Sequence, residues 1–340
     1  MPSMKSQKFN LKRKKNIFLV TGAAGFIGSS ICRYLLSLEG TQSVIGVDNI
    51  NSYYSIKLKK RRIQELSVNK CFVFYKESIL NKEKIALIVQ QHKPNILIHT
   101  AAEVGVRNGE SNVLSYYSSN VLGAMTVLES SKESINHAVI LSSSSVYGLH
   151  SDLPSKEQEN ITLHNPISVY GASKAAMEIA VHNFFRRTKV PTTIIRPFSV
   201  FGPDGRPDML PIKLLLAAKL EQSINVYAPK NNFRDWTYID DFVRGIGAIL
   251  KNPDKFQIVN LGTGSPLRLD QTLKIAQKII KKYGYSLSIF VKPANAMEVS
   301  ITHASTEKMN SKYNIVFENN FEEGYKRTAD FFFNHLDLYL

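Results

Sequence analysis

Short, almost uninterrupted apolar segments alternate with amphipathic segments through the first two thirds of this chain. The apolar segments are NIFLVTG, SVIGVD, CFVFYK, NILIHTAA, HAVILSS and TTIIRP. Strands that are apolar on both faces are typical of a parallel sheet covered on both sides. The amphipathic segments have the length that a crossover helix requires, and they span 26–38, 55–66, 81–92, 111–134 and 168–189. The pattern therefore predicts an α/β fold with a doubly wound parallel sheet.

The pattern changes after Arg196, where the Pro- and Gly-rich segment RPFSVFGPDGRPDMLP precedes further helical patterns and one strand-like run, QIVNLG. We predict a dinucleotide-binding domain at 16–196 and a second, smaller substrate-binding domain mainly at 197–340. Within the second domain, the segment 236–262 is a candidate for packing with the dinucleotide-binding domain instead. Residues 1–15 contain six basic residues and no acidic one, which predicts a flexible basic tail. We expect ligands in the crevice between the two domains.

Composition excludes several classes of protein. The two cysteines, Cys32 and Cys71, are too few for a disulfide framework and are not at metal-ligand spacing, so we expect buried apolar residues, no metal and a reducing compartment. The net charge of +15 is spread along the chain, which favours a basic surface that attracts small anions over a nucleic-acid partner. No apolar run approaches the roughly 18 residues of a membrane span, and no signal peptide is apparent. We therefore expect a cytoplasmic protein without a membrane partner.

A glycine-rich loop, TGAAGFIG, follows the first predicted strand and opens the first predicted helix. Gly22 permits a tight turn, Gly25 lets the backbone approach a pyrophosphate, and Gly28 allows close packing of helix and strand. Asp48 ends the second strand, where a carboxylate can accept hydrogen bonds from an adenosine ribose and so favours NAD over NADP. The basic run from Lys57 to Arg62 is interpreted as the exposed face of a helix. Together these features predict a Rossmann-like, NAD-binding fold.

Tyr170 and Lys174 stand one helical turn apart in SVYGASK. A tyrosine with its ordinary pKa of about 10 is a poor base unless a cation favours the phenolate. Lys174 can supply that cation, so the pair can take a proton from an alcohol. Ser143, at the end of the strand HAVIL, can hydrogen-bond the reacting oxygen. The alternatives are a surface Tyr and Lys on an amphipathic helix, and serines that only form a turn.

Taken together, these motifs resemble the extended short-chain dehydrogenases/reductases, and among them the nucleotide-sugar 4-epimerases, over about residues 16–335. The most specific stretches resemble UDP-glucuronate 4-epimerases: VDNINSYYSIKLKKRRI, AAEVGVRNGESN, RPFSVFGPDGRPDM and RDWTYIDD. The resemblance implies NAD as the cofactor and a UDP-sugar as the substrate. It also implies a homodimer in which 111–134 and 168–189 form a four-helix bundle across a two-fold axis.

The resemblance also assigns residues to three sites. The catalytic positions are Ser143, Tyr170 and Lys174. The implied cofactor residues, in addition to Tyr170 and Lys174, are Gly22, Gly25, Phe26, Ile27, Gly28, Asp48, Asn49, Asn51, Ser78, Ile79, Ala101, Ala102, Asn120, Ser142 and Pro197. The implied substrate residues are Arg107, Ser144, Ser145, Ser199, Arg206, Arg234 and Glu298. The chain departs from the family pattern at three places. Ser78 stands where an acid is usual, with Glu77 beside it as the substitute; Met297-Glu298-Val299 stands in place of a GDV-like element; and Ser199 replaces a threonine but keeps its hydroxyl.

The implied activity is NAD-dependent C4 epimerisation of a UDP-hexuronic acid, UDP-glucuronate to UDP-galacturonate, through a transient 4-keto sugar. Relatives that eliminate water or carbon dioxide carry TDE or TSE before VYG, whereas this chain has three serines there, which lack a carboxyl group for proton transfer. Two alternatives stay open. One is a 4-epimerase of a neutral or N-acetylated UDP-hexose, and the other is a non-catalytic NAD-binding regulator or RNA-associated protein.

Overall fold

The computed structural model describes residues 15–149, 152–157, 165–228, 231–293, 299–318 and 320–340. At its centre lies a parallel sheet of seven strands. These strands are β1 (Asn16–Thr21), β2 (Thr41–Asp48), β3 (Phe72–Lys76), β4 (Ile96–His99), β5 (His137–Leu141), β6 (Thr192–Pro197) and β11 (Phe256–Leu261). Their order in the sheet is β11-β6-β5-β4-β1-β2-β3, so the chain reverses direction of winding after β3. The predicted doubly wound parallel sheet is confirmed.

Helices cover both faces of this sheet. They are α1 (Phe26–Ser37), α2 (Ile56–Ser67), α3 (Lys82–His92), α4 (Val106–Gly109), α5 (Val113–Tyr117), α6 (Ala124–Ser131), α7 (Val169–Thr188) and α9 (Ile239–Lys251). Neighbouring residues of β1 point to opposite faces: Phe18 packs into a core with α1 and α9, and Leu19 into a core with α3, α6 and α7. Because both faces are buried, the strands need apolar residues at successive positions.

A third apolar core lies beyond β6, between helices α8 (Leu210–Lys219), α10 (Leu269–Lys282) and α12 (Phe321–Asn334). Short strand pairs accompany it: β7 (Ser199–Phe201) with β10 (Trp236–Tyr238), β8 (Ile224–Tyr227) with β13 (Ile289–Lys292), and β9 (Phe233–Arg234) with β12 (Leu267–Arg268). Helix α11 (Glu307–Tyr313) packs on the sheet side instead. The run QIVNLG forms β11 and pairs with β6, so the chain does cross back to the central sheet. The domain boundaries themselves stay a prediction.

The segment predicted as one helix at 111–134 is interrupted. A π-helical stretch, Ser118–Gly123, separates α5 from α6. Asn120 lies in this stretch and is completely buried, with its side chain bonded to Glu103 and Ser173. Such a wider turn is common at functional sites, and here it directs a polar amide inwards from a helix that sequence periodicity alone predicts to be regular.

Two expectations about burial are wrong. Cys71 is exposed because it precedes the edge strand β3, whereas Cys32 is buried in α1 as expected. Lys59 and Arg62 do not lie on an exposed helix face but are buried. The Lys59 ammonium donates to the carbonyl and side-chain oxygen of Asn51 (2.8 and 2.5 Å), so its charge is met inside the protein.

The predicted basic tail lies outside the described residues, apart from Lys15. Among the residues that are described, no helix is both long enough and apolar enough to cross a bilayer.

Candidate active site

A cavity of about 790 Å³ opens at the carboxyl ends of the central strands. Its wall is built from the glycine loop, from the segments that follow β2, β3, β4, β5 and β6, and from Arg206, Asp208 and Met209. The structure brings most of the predicted site residues together on this wall: Gly22, Gly25, Phe26, Ile27, Gly28, Asp48, Asn49, Asn51, Ile79, Ala101, Ala102, Ser143, Ser144, Ser145, Tyr170, Pro197, Ser199 and Arg206. Residues from both sides of the sheet's switch point therefore meet in one crevice.

Other predicted residues do not line this cavity. Ser78, Asn120, Ser142 and Lys174 lie behind its wall, and Arg234 donates from Nη1 to the carbonyls of Phe233 (2.9 Å) and Ser300 (3.1 Å). Glu77, and not Ser78, lines the wall at the end of β3. Glu298 and the side chain of Arg107 lie outside the described residues.

The glycine loop fits a dinucleotide. Gly22 has φ +73°, and a Cβ added to Gly28 would lie 2.0 Å from the Gly22 carbonyl oxygen, so neither position tolerates a side chain. Helix α1 begins directly after Gly25, with no side-chain cap and no acidic residue in its first turn. The free N–H groups and the positive end of the helix dipole therefore face the cavity, which is the arrangement that binds a pyrophosphate.

Asp48 stands at the carboxyl end of β2, where its carboxylate accepts hydrogen bonds from the backbone N–H of Ala24 (3.1 Å) and of Ile50 (2.8 Å). These bonds fix the carboxylate on the cavity wall and leave lone pairs for the hydroxyls of a ribose. Lys59 lines the same part of the cavity, and burial lowers the pKa of its ammonium group. This end of the site therefore fits an adenosine ribose.

Tyr170 lies in the first turn of α7, which begins after Ser168. The Ser168 hydroxyl caps the helix by accepting from the N–H of Gly171 (3.1 Å). The ring of Tyr116 packs edge-on against the Tyr170 ring, with 6.3 Å between centroids. Burial raises the pKa of the Tyr170 phenol, whereas the Ser143 hydroxyl and the charge of Arg206 act to lower it. The phenol is thus held in place, and two neighbours favour its anionic form.

Lys174 follows one turn later on the same face of α7 and is almost wholly buried. Its ammonium donates to the Leu141 carbonyl (2.7 Å), the last residue of β5, and makes no direct hydrogen bond to Tyr170. Burial lowers the pKa of Lys174 to about 8, and Glu178, a further turn along the helix, opposes this shift. The carbonyl at the end of β5 therefore holds the ammonium in place, one helical turn from the Tyr170 phenol.

His99 completes the surroundings of Lys174 from the side of β4. Its Nδ1 pairs with the Thr21 hydroxyl (2.8 Å), and within the described part of the chain Nε2 has no hydrogen-bond partner. Burial, with a smaller contribution from Lys174, lowers the pKa of His99 to about 3. The imidazole is therefore neutral at physiological pH, and Lys174 is the cation at this point of the site.

Asn120 supports the wall without lining it. Its amide donates to the Glu103 carbonyl (3.0 Å) and to the Ser173 hydroxyl (2.9 Å), and its oxygen accepts from the N–H of Glu103 (2.8 Å). Ser173 in turn donates to the Tyr170 carbonyl (2.8 Å). The π-helical stretch thereby joins the segment after β4 to the helix that carries Tyr170.

On the same cavity wall, Arg206 forms a two-point ion pair with Asp208, from Nε to Oδ1 (2.9 Å) and from Nη2 to Oδ2 (2.7 Å). Tyr53 donates from its hydroxyl to Oδ2 of the same carboxylate (3.1 Å). Sequence reasoning missed Tyr53 and Asp208, although both lie in stretches that resemble the family, SYYSIK and GRPDM. Their contact joins segments far apart in the sequence and has no local signal.

These contacts define the class of protein: a dinucleotide-binding enzyme in which a tyrosine, a serine and a buried lysine stand where an alcohol can be oxidised. Comparison with known families agrees. The chain belongs to the NAD dependent epimerase/dehydratase family, which it matches over residues 18–262.

Individual relatives cover almost the whole chain. It is 33% identical over 323 residues to a protein of Thermodesulfobacterium geofontis named UDP-glucuronate 4-epimerase, covering 94% of this chain and 97% of that protein. The crystal structure of UDP-glucuronic acid 4-epimerase from Bacillus cereus, in complex with UDP-glucuronic acid and NAD, superposes with a TM-score of 0.85 at 28% identity, covering 94% of this chain and 99% of that one. UDP-glucose 4-epimerase from Thermotoga maritima with UDP-glucose superposes with a TM-score of 0.83 at 26% identity, covering 94% and 99%.

Proposed function

We propose that this chain is an NAD-dependent 4-epimerase that interconverts UDP-glucuronate and UDP-galacturonate. The observation that carries this proposal is the presence of the Arg206 guanidinium on the same cavity wall as Ser143 and Tyr170. A guanidinium fork matches a carboxylate, and of the UDP-hexoses considered only the uronic acids present a carboxylate on the reacting sugar. The relatives named for UDP-glucuronate support the same substrate.

The glycine loop and Asp48 are the residues that would hold NAD, for the reasons of shape and charge given above. When bound, NAD would supply the hydride acceptor and donor that inversion at C4 requires. Tyr170 accepts the proton of the C4 hydroxyl as the ketone forms and gives it back as the alcohol is restored. Ser143, which favours the Tyr170 phenolate, holds the C4 oxygen within reach of that phenol.

Lys174 acts from behind the wall. Because its ammonium is fixed on the Leu141 carbonyl, it contributes a positive charge near the phenol without forming a hydrogen bond to it. A buried charge acts over several ångströms in a medium of low dielectric constant, so this placement still favours the phenolate.

Arg206 has a second task in this proposal. The 4-keto uronic acid is a β-keto acid, which loses carbon dioxide readily when its carboxylate is free to rotate. A fork of two N–H groups fixes the carboxylate plane, and Ser199, on the same wall, offers a hydroxyl to the same group. We therefore assign Ser199 and Arg206 to holding the carboxylate and suppressing a pentose by-product.

We also propose that the protein is a homodimer that pairs through a four-helix bundle. In support, large apolar side chains are exposed on the segments concerned: Leu114 is 83%, Leu122 59% and Ile179 53% exposed. Exposed apolar residues that cluster on neighbouring helices mark a surface for association. Light scattering after size-exclusion chromatography should give the mass of two chains, and Ile179→Lys should shift it towards one. A single-chain mass for the unaltered protein would refute the dimer.

The activity is tested by incubating the purified protein with UDP-glucuronate, without added NAD, and separating the products. We expect UDP-galacturonate with little UDP-pentose, and no product from the Tyr170→Phe variant. Parallel incubations with UDP-glucose and UDP-N-acetylglucosamine test the neutral-sugar alternative. Turnover of a neutral sugar without formation of UDP-galacturonate would overturn the proposed substrate, and no turnover of any sugar with NAD supplied would favour the non-catalytic alternative.

A further inference from the structure

The ion pair between Arg206 and Asp208 uses only one edge of the guanidinium. Nε and Nη2 point at the carboxylate, whereas Nη1 has no hydrogen-bond acceptor among the residues that the structure describes. A guanidinium has five N–H donors in a fixed plane, so a second carboxylate can be held at the Nη1 edge while Asp208 keeps the first. Asp208 orients the guanidinium, so the contacts that hold Asp208 in place also set the direction in which Nη1 points.

Tyr53 holds the Asp208 carboxylate in place. Its hydroxyl donates to Oδ2 of Asp208, and its ring lies 5.9 Å from the Arg206 guanidinium carbon. The segment after β4 is shaped to receive this hydroxyl, because a Cβ added to Gly105 would lie 2.5 Å from it. Burial and the neighbouring Asp208 charge raise the pKa of the Tyr53 phenol, so it keeps its proton and remains a donor.

Asp204, at the start of the segment 204–208 that carries Arg206 and Asp208, is held by separate contacts. The Asp204 carboxylate forms an ion pair with the fully buried Arg62 (Oδ2 to Nε, 3.0 Å), and the Asp204 carbonyl accepts a hydrogen bond from Nη2 of Arg62 (2.5 Å). Arg62 also donates to the Ala24 carbonyl of the glycine loop (3.0 Å), and Arg33 adds a contact to the Asp204 carboxylate (2.9 Å). With Asp204 fixed, the remaining freedom at Arg206 lies in its own side chain, which is restrained by Asp208, by Tyr53 and by a long contact from Nη2 to the Met209 sulfur (3.8 Å).

We propose that Tyr53 and Asp208 are positioning residues that aim the free edge of Arg206 at the carboxylate of a uronic acid and so set the preference for acidic over neutral UDP-sugars. This inference rests on the proposed function, since it refines the role given there to Arg206. Tyr53 is 37% exposed and lines the cavity, so it can form part of the surface against which the sugar packs.

The charge of Asp208 gives the proposal a sharp test. If Asp208 acted only by electrostatic repulsion of the sugar carboxylate, then Asp208→Asn would remove that repulsion, and UDP-glucuronate would bind more tightly. If it aims Arg206, then the same variant loses the two-point ion pair and UDP-glucuronate binds more weakly. The two roles therefore predict changes of opposite sign.

The experiment compares the Kd of UDP-glucuronate with that of UDP-glucose, by calorimetry, in the NAD-loaded wild type, Tyr53→Phe and Asp208→Asn. We expect Tyr53→Phe to weaken UDP-glucuronate about 3- to 10-fold, the effect of one hydrogen bond, and Asp208→Asn to weaken it further. UDP-glucose should change less than about twofold, within the scatter of such measurements. The pentose share of the products should rise in both variants, because a loosely held carboxylate is lost more easily.

Tyr75→Phe is the matched control, because its hydroxyl also makes one half-buried side-chain bond (2.7 Å to His92) but lies away from the cavity. Its two Kd values should match those of the wild type, and thermal melting checks that all variants fold. Equal weakening of both sugars, no weakening of UDP-glucuronate, or tighter binding in Asp208→Asn would overturn the proposal.

Failure of the proposed function looks different from failure of this inference. A wild type that binds UDP-glucuronate but does not epimerise it refutes the function, while the ratio of the two Kd values still decides the positioning role. A wild type that epimerises UDP-glucuronate, with variants whose ratio is unchanged, refutes only the positioning role. A wild type that does not bind the sugar acid overturns both.

Discussion

Two arginine–carboxylate pairs flank the proposed catalytic residues, and they differ most in their burial. One helical turn after Lys174 on α7, Glu178 pairs with Arg196 at 2.6 Å, and both side chains are 0% exposed. Beside the cavity, Arg206 pairs with Asp208 at 2.7 Å, with 19% and 29% of the side chains exposed. Both are two-point pairs with similar distances, so we attribute the difference in what each pair can do to burial.

The closed pair joins helix α7 to strand β6. Arg196 donates to Glu178 from both Nε (2.9 Å) and Nη2 (2.6 Å), and its guanidinium stacks over the ring of Tyr147 at 4.8 Å. No ligand can reach it, so its function is structural and electrostatic: it holds Glu178 charged, one turn from Lys174. The open pair leaves an edge of its arginine facing the cavity. An arginine in a family motif can therefore bind a ligand only if some of its N–H groups face the cavity and are not already paired within the protein.

The largest expected effect is on stability, and it separates the two pairs. Glu178→Ala leaves the Arg196 charge buried without its carboxylate, which should lower the free energy of unfolding by about 3–5 kcal/mol. Asp208→Ala removes the partner of a partly exposed arginine and should cost about 1 kcal/mol or less. Urea denaturation followed by circular dichroism measures both. Similar losses in the two variants would show that the difference in burial does not matter.

The next effect concerns the substrate. Arg206→Ala removes the charged hydrogen bonds that we propose to the sugar acid. Such bonds are worth about 1.5–3 kcal/mol, so KM for UDP-glucuronate should rise roughly 10- to 100-fold. The pentose share of the products should rise with it. Steady-state kinetics with product separation measures both quantities, and Arg206→Lys shows how much depends on the fork and how much on charge. Unchanged affinity and unchanged pentose formation would contradict the assignment of Arg206.

The pH dependence of the activity should also distinguish the Arg196–Glu178 pair from the Arg206–Asp208 pair. Burial lowers the pKa of Lys174 to about 8, Glu178 opposes this, and His99 on the facing strand is neutral. Activity that needs the ammonium should therefore decline as pH rises through about 8. In Glu178→Gln the opposing charge is lost, the pKa of Lys174 falls further, and the decline should move to lower pH.

The pH–rate profile of kcat/KM checks this shift, with Asp208→Asn as the control that should leave the alkaline limb in place. An alkaline limb that stays in place in Glu178→Gln, or moves to higher pH, would contradict the role of the closed pair.

The smallest effect is expected from Ser199→Thr, which restores the methyl group usual in the family. The hydroxyl stays, and Ser199 lies in the short strand β7, where a β-branched residue is readily accommodated. A single methyl group is worth about 0.8 kcal/mol, so kcat/KM should change by no more than about fourfold. A much larger loss would mean that the wall beside Arg206 has no room for the methyl group.

Sequence predicted those parts of the site that depend on short-range patterns. The strand, loop and helix around Gly22 and Gly28 follow from local periodicity and glycine spacing, and Asp48 and Ser143 follow from their position at strand ends. Tyr170 and Lys174 share a face because they are four residues apart. The Lys174 contact with the Leu141 carbonyl was not predictable, because it depends on how deeply α7 packs on β5.

The parts that sequence missed depend on contacts between distant segments. The Tyr53–Asp208 bond joins residues 155 positions apart. The burial of Arg62, which reads as one more charge in a basic run, depends on Asp204, 142 positions away. Conversely, Arg234 matched a family motif, yet the structure places it away from the cavity wall.

The most direct measurement of the proposed chemistry follows the hydrogen at C4. UDP-glucuronate carrying deuterium at C4 is incubated with the protein in ordinary water, and the UDP-galacturonate formed is analysed by mass spectrometry and NMR. Because the proposed cycle returns to C4 the same hydride that it removes, while Tyr170 exchanges only the hydroxyl proton, we expect the deuterium to remain at C4 of the product. Replacement of that deuterium by hydrogen from the solvent would contradict the alcohol-to-ketone cycle.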